Sequence, residues 1–198
     1  MVTELRIYIE GDPRLRPGMS QFLSEIWGAA RKRRCKIRPV LCGANAVSDF
    51  CLALQEHRDA WNILLLDSEG PVDGGLLDQL RNSSGWQPPV GQENLEDKVF
   101  WMVQLMEAWF LADVDTLNKY YGQGFLGNAL LGNPRVEDIP KDDVLARLKQ
   151  ATRHTKKGAY HKTRHAPEIL TQLNPDRVKQ ASPNCKRLFD KVLARLGE

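Results

Sequence analysis

The sequence predicts an α/β fold: a mostly parallel central sheet flanked by helices, with a helical, basic C-terminal elaboration. Three observations predict it. Short apolar runs at residues 5–9, 36–41 and 62–66 alternate with stretches of helical periodicity, the β-α-β-α-β order of a parallel sheet. The run 62–66 is apolar on both faces, as a buried parallel strand must be. After residue 140 the chain reads mainly as helix and carries 14 basic against 6 acidic residues, whereas residues 1–140 carry a net charge of −5.

Residues 5–9 form the first strand, with Ile7, Tyr8 and Ile9 favouring extended backbone, and Gly11-Asp12-Pro13 ends it. A helical stretch starts at Pro17 or Gly18. Phe22, Leu23, Ile26 and Trp27 share a face, and Arg31 to Arg34 suit the negative end of the helix dipole. Residues 36–41 are the second strand. Asn45 can cap a helix running to about His57, with Val47, Phe50, Cys51 and Leu54 on one side. The third strand, 62–66, follows at once.

Pro71 to Gly75 form a turn, and Leu76, Leu77 and Leu80 suggest a short helix. Residues 82–94 read as a loop rich in Gly, Pro, Ser and Asn, and 99–103 as a fourth strand. The run 102–113 passes directly into a helix that is apolar nearly all round, which predicts burial. Gln104 and Glu107 stand out in it, and their spacing would put them on one face. Asp113 and Asp115 read as caps. Residues 120–134 are a Gly- and Asn-rich excursion. Helices are expected from about 141, at 166–173 and at 183–196, with a basic loop at 153–164. The domain reading is a catalytic α/β part at 1–115 and a helical, basic extension packed on it at 116–198.

Composition excludes some classes. No apolar run approaches the ~20 residues of a membrane-spanning helix. The N-terminus enters a strand with no secretory pattern, so a cytoplasmic protein is expected. Cys35, Cys42, Cys51 and Cys185 form no CxxC pair and no zinc-spaced cluster, which predicts reduced thiols. Gly43-Ala44-Asn45 lacks a Walker A or GxGxxG pattern, so no nucleotide site is inferred.

Chemistry concentrates at strand ends. Glu10 closes the first apolar run, and Asp67 and Glu69 close the third. On neighbouring parallel strands they would meet at the C-terminal edge, where open α/β sheets place their sites. Converging carboxylates repel unless a cation sits among them, and oxygen-only ligands suit Mg²⁺ or Mn²⁺. The bland alternatives are a surface Glu and a common Asp-x-Glu. Glu107 has two readings as well: an acid favoured by a helix N-terminus, or a buried carboxylate that needs a cationic partner.

The segments Ile7-Tyr8-Ile9-Glu10-Gly11 and Leu65-Leu66-Asp67-Ser68-Glu69 resemble the Toprim pattern, a Glu after the first strand and Asp-x-Asp or Asp-x-Glu after the third. Toprim domains occur in topoisomerases, primases and OLD-type nucleases. Residues 102–113, with Glu107-Ala108-Trp109, and Tyr160-His161-Lys162 are similar to a bacterial Toprim-like domain of unknown function related to the RloB family. The likeness covers nearly the whole chain. It implies a divalent-metal-dependent nuclease of the kind encoded beside an ABC- or SMC-type ATPase in phage-defence loci, acting on DNA or tRNA. Carried over, Glu10, Asp67 and Glu69 would bind Mg²⁺ or Mn²⁺, and Glu10 could act as general acid or base. Glu107 would complete or support the acidic site, and Lys162 would contact the scissile phosphate. The departure is Glu69, where Asp is commoner in the wider superfamily. The resemblance leaves room for a non-catalytic or latent effector subunit that docks on such an ATPase.

The segment 153–165 mixes cations with one aromatic residue and Gly158. Lys156, Lys157, Lys162 and Arg164 can neutralise phosphates, His161 lies among them, and Tyr160 could stack on an unpaired base. The alternative is an exposed basic connector.

Overall fold

The computed structural model describes residues 2–72, 75–84, 86, 95–130 and 134–197. Four strands form one sheet: β1 (Glu4–Ile9), β2 (Lys36–Leu41), β3 (Trp61–Asp67) and β4 (Val99–Met102). Their order is β2-β1-β3-β4, and all three pairings are parallel. The register sets Ile9 beside both Leu41 and Leu65, and Asp67 beside Met102. The C-terminal ends of β1 and β3 are therefore neighbours.

Alternation along each central strand builds two cores. Leu5, Ile7, Ile9, Ile63, Leu65, Phe100 and Met102 join the larger cluster. Tyr8, Leu64, Leu66, Val99 and Trp101 join the smaller one, with Phe50 and Leu54 of α3 (Ala46–Glu56) and Leu77 and Leu80 of α4 (Leu76–Ser84). With helices over both faces, the central strands are mainly apolar, and Asn62, a buried polar side chain within β3, donates to the Ala53, His57 and Ala60 carbonyls.

The larger cluster is completed by α1 (Arg16–Phe22), α2 (Ser24–Lys32), the single turn α5 (Ala108–Leu111), α6 (Val114–Tyr121), α7 (Lys141–Thr152), α8 (Lys162–Gln172), α9 (Pro175–Ala181) and α10 (Pro183–Gly197). Residues after 115 thus share one apolar cluster with the sheet. Phe22 of α1 stacks on Trp109 of α5 at 4.8 Å and meets Phe189 of α10 edge-on at 5.9 Å. Gly18 lets α1 lie against α8: a Cβ there would stand 2.7 Å from Leu170 Cβ.

Several elements differ from the expectation. The stretch expected as one helix from Pro17 is a 3-10 turn at Pro13–Leu15 and two helices divided at Leu23. Helices α6 and α9 were not anticipated, and each carries its own start signal. Asp113 caps α6 by accepting the Thr116 N–H, and Asn174 caps α9 ahead of Pro175 by accepting the Asp176 N–H. α8 begins at Lys162, four residues earlier than expected, which takes Lys162 out of the basic loop. Gln104 precedes α5, so it does not share a helical face with Glu107. α4 runs to Ser84, and residues 85 and 87–94 of the expected loop lie outside the described residues, as do 73–74 of the expected turn and 131–133 of the excursion. All four cysteines are free. Among the described residues no helix is long and apolar enough to cross a membrane.

Candidate active site

The site lies where β1 and β3 end. Glu10 follows β1, and Gly11 turns the chain away at φ +139°, a backbone that a side chain would strain. The Glu10 N–H donates to the Leu65 carbonyl at 2.9 Å, which extends the ladder by one step. The Asp67 N–H then donates to Glu10 Oε2 at 3.2 Å. The two acids expected to meet are therefore hydrogen-bonded, backbone to side chain.

Asp67 is held from three sides. Its Oδ1 accepts the Met106 N–H at 2.8 Å, its Oδ2 lies 3.6 Å from Lys162 Nζ, and its side chain is 8 % exposed. Burial raises its pKa first, with the charges of Glu107 and Glu10 adding to the rise and Lys162 opposing it, and the carboxyl is pushed up to about 7. Burial also pushes the Glu10 carboxyl up, against the Asp67 N–H, and Glu69 adds to the rise.

Glu107 is fully buried immediately before α5. Its Oε1 accepts the Tyr160 hydroxyl at 2.9 Å, and its Oε2 accepts no hydrogen bond but lies 3.7 Å from Lys162 Nζ. One ammonium thus faces two buried carboxylates. Burial works against that ammonium, but the charges of Glu107, Asp67, Glu10 and Glu69 outweigh it and raise the Lys162 pKa. Glu107 thus stands at the N-terminus of α5 and is also a buried carboxylate with a cation beside it.

Glu69 is brought to the rim but turned aside. It adopts a left-handed backbone (φ +60°), and its N–H donates to the Gln104 carbonyl at 2.8 Å. Its carboxylate meets Lys141 Nζ at 2.8 Å, with both side chains well exposed. Lys141 also donates its backbone N–H to Gln104 Oε1 at 3.0 Å. Lys141 escaped the sequence reading. Nothing local marks it, because its partner lies 72 residues away.

Tyr160 requires a correction. It is 3 % exposed, bonded to Glu107 and set edge-on to Phe110, so its ring is not free to stack on a base. Lys156, His161 and Arg164 are exposed, and Lys157 is half-buried with its ammonium 4.4 Å from the Tyr120 ring centroid.

The donor chemistry suits a hard cation: the converging acids offer only oxygen, and Glu107 Oε2 is a buried oxygen that accepts no hydrogen bond. As the side chains stand, no group of three or more His, Cys, Asp or Glu among the described residues is arranged to hold a metal ion. Glu69, the third expected ligand, is engaged by Lys141 instead.

Residues 13–193 match the model of the family described as Domain of unknown function (DUF4276). The chain belongs to the DUF4276 family. The matched span starts just after Glu10 and takes in Asp67, Glu69, Glu107 and Lys162. The DUF4276 chain is also similar in structure to the C-terminal region of the Burkholderia pseudomallei OLD protein, with a TM-score of 0.53, 12 % identity and 99 % of each chain covered. At that identity the likeness speaks for the fold. No curated protein matches the chain.

Proposed function

We propose that this DUF4276 chain is a divalent-metal-dependent nuclease, a Toprim-type phosphodiesterase acting on DNA or RNA in phage defence. The observation that carries the reading is the Glu10–Asp67 hydrogen bond at the ends of adjacent parallel strands, with Glu107 and Lys162 closing the same cluster. The fold shared with the OLD protein's C-terminal region supports it.

In this reading Glu10, Asp67 and Glu69 hold Mg²⁺ or Mn²⁺, which when bound supplies an activated water and neutralises phosphoryl charge. The protein does the rest. Met106 N–H orients Asp67 and leaves its Oδ2 facing the site. The Glu10 carboxyl, raised above its ordinary value by burial, is placed to take or return a proton. Lys162 supplies positive charge where the phosphate would lie, and Glu107, fixed by Tyr160, keeps that ammonium at the cluster. Lys156, Lys157, His161 and Arg164 extend the grip along the nucleic-acid backbone.

The test is cleavage of DNA and of tRNA with Mg²⁺ or Mn²⁺ by the wild type and Asp67→Asn. Metal-dependent cuts reduced at least about a hundredfold in the variant, roughly 2.7 kcal/mol of barrier, are expected. Equal background from both proteins would overturn catalysis.

One observation favours a second reading, a latent subunit that docks on an ABC- or SMC-type ATPase. The Lys141–Glu69 ion pair leaves the acid set open as it stands. Cleavage that appears only when such an ATPase is added would support it.

A further inference from the structure

Lys162 is the first residue of α8, and its ammonium lies 3.6 Å from Asp67 Oδ2 and 3.7 Å from Glu107 Oε2. Both acids are almost wholly shielded from water, with side-chain exposures of 8 % and 0 %. Buried charges without compensation are strongly destabilising, and several like charges together are worse. Glu107 Oε2 has no hydrogen bond, and Oε1 has only the Tyr160 hydroxyl. The positive charge of Lys162 is therefore the main electrostatic support of this pair, and it also acts on Glu10 and Glu69. Two features leave the ammonium open to replacement. The separations exceed hydrogen-bonding length, so no directional bond fixes the ammonium. The side chain is also 53 % exposed, so a path outward is open to it once another cation takes its place.

A second cation could enter between Asp67 and its neighbours only by competing with this ammonium, because like charges a few Å apart repel in a shielded site. We propose that Lys162 is the resident counter-cation of the acidic cluster and that a hard divalent cation enters by displacing it from Asp67. Displacement frees the ammonium toward solvent, where a phosphate oxygen can take it. Metal loading and backbone capture would then be coupled through one side chain. The proposal rests on the metal reading given above and adds a defined competitor to it.

The probe is Mn²⁺ alone, with binding measured by calorimetry and no nucleic acid present. Lys162→Met is expected to bind Mn²⁺ at least about tenfold more tightly than the wild type. Its metal-free form should melt at lower temperature, and Mn²⁺ should raise its melting temperature more than it raises the wild type's. Lys162→Arg keeps the charge and should bind as the wild type does. On the wild-type protein, acylation of the Lys162 amine, followed by peptide mass spectrometry, should speed up several-fold when Mn²⁺ is added. This measurement decides the matter if Lys162→Met does not fold. If Lys162→Met binds Mn²⁺ no more tightly, or if Mn²⁺ binds while the acylation rate stays constant, the counter-cation role is overturned and the metal reading stands. If neither protein binds Mn²⁺, both are overturned.

Discussion

The Asp67 N–H donates to the Glu10 carboxylate at 3.2 Å and ties together the ends of two parallel strands 57 residues apart in sequence. Glu10→Gln keeps an acceptor at that position and removes the charge. Metal-dependent cleavage should fall at least about a hundredfold, while the melting temperature stays close to that of the wild type. A variant that unfolds readily yet cleaves normally when folded would make Glu10 purely structural.

Asp67 makes the metal-free protein pH-sensitive. Its carboxyl goes from an ordinary 3.8 to about 7 on folding, so the folded state binds the extra proton between those values. Its contribution to stability is full below the unfolded pKa and is lost as pH rises through the folded one. Asp67→Asn keeps an Oδ1 for the Met106 N–H and removes this titration. The variant should match the wild type near pH 4 and exceed it at pH 8 by on the order of 2 kcal/mol. Urea denaturation in EDTA at the two pH values measures the difference, and an equal difference at both would refute the assignment.

Tyr160→Phe preserves the ring that meets Phe110 and removes the hydroxyl that donates to the Glu107 carboxylate. A buried carboxylate left without a donor should cost roughly 1–3 kcal/mol. Chemical denaturation should report that loss, whereas a base-stacking role would predict unchanged stability and weakened nucleic-acid binding.

Close packing of α1 on α8 sets where Lys162 sits. Gly18→Ala would drive a Cβ to 2.7 Å from Leu170 Cβ and should destabilise by about 1–3 kcal/mol. Gly28→Ala, with nothing within 4 Å of its added Cβ, should be neutral or stabilising by about 0.5–1 kcal/mol. Thermal melts of the two variants provide the contrast.

Charge reversal at Lys156, Lys157 and Arg164 tests the basic surface. Each lost phosphate contact should flatten the salt dependence of binding by about 0.9 in log–log slope. An unchanged slope would leave these residues as a solvated connector.

The strands, most helices and the acids at the strand ends were legible because each has a local cause. Apolar runs of strand length mark β1 and β3, and Glu10 and Asp67 are simply the first acids beyond them. The apolar surround of Glu107 announced its burial. Short helices such as α6 and α9 were not legible from periodicity, since 8 and 7 residues show too few turns to establish it. Their caps were readable signals.

By itself the sequence determined a parallel α/β sheet with acids at its C-terminal edge, since side-chain alternation and run length are properties of neighbouring residues. Only the tertiary structure decided that β1 lies directly beside β3, which makes Glu10 a partner of Asp67. It also decided that Lys141 holds Glu69, that Tyr160 turns inward to Glu107, and that Lys162 stands between two buried carboxylates. Those relationships join residues 39 or more positions apart, counting the Met106–Asp67 bond that orients the cluster. Their energies come from burial and charge proximity, which no local stretch of chain encodes.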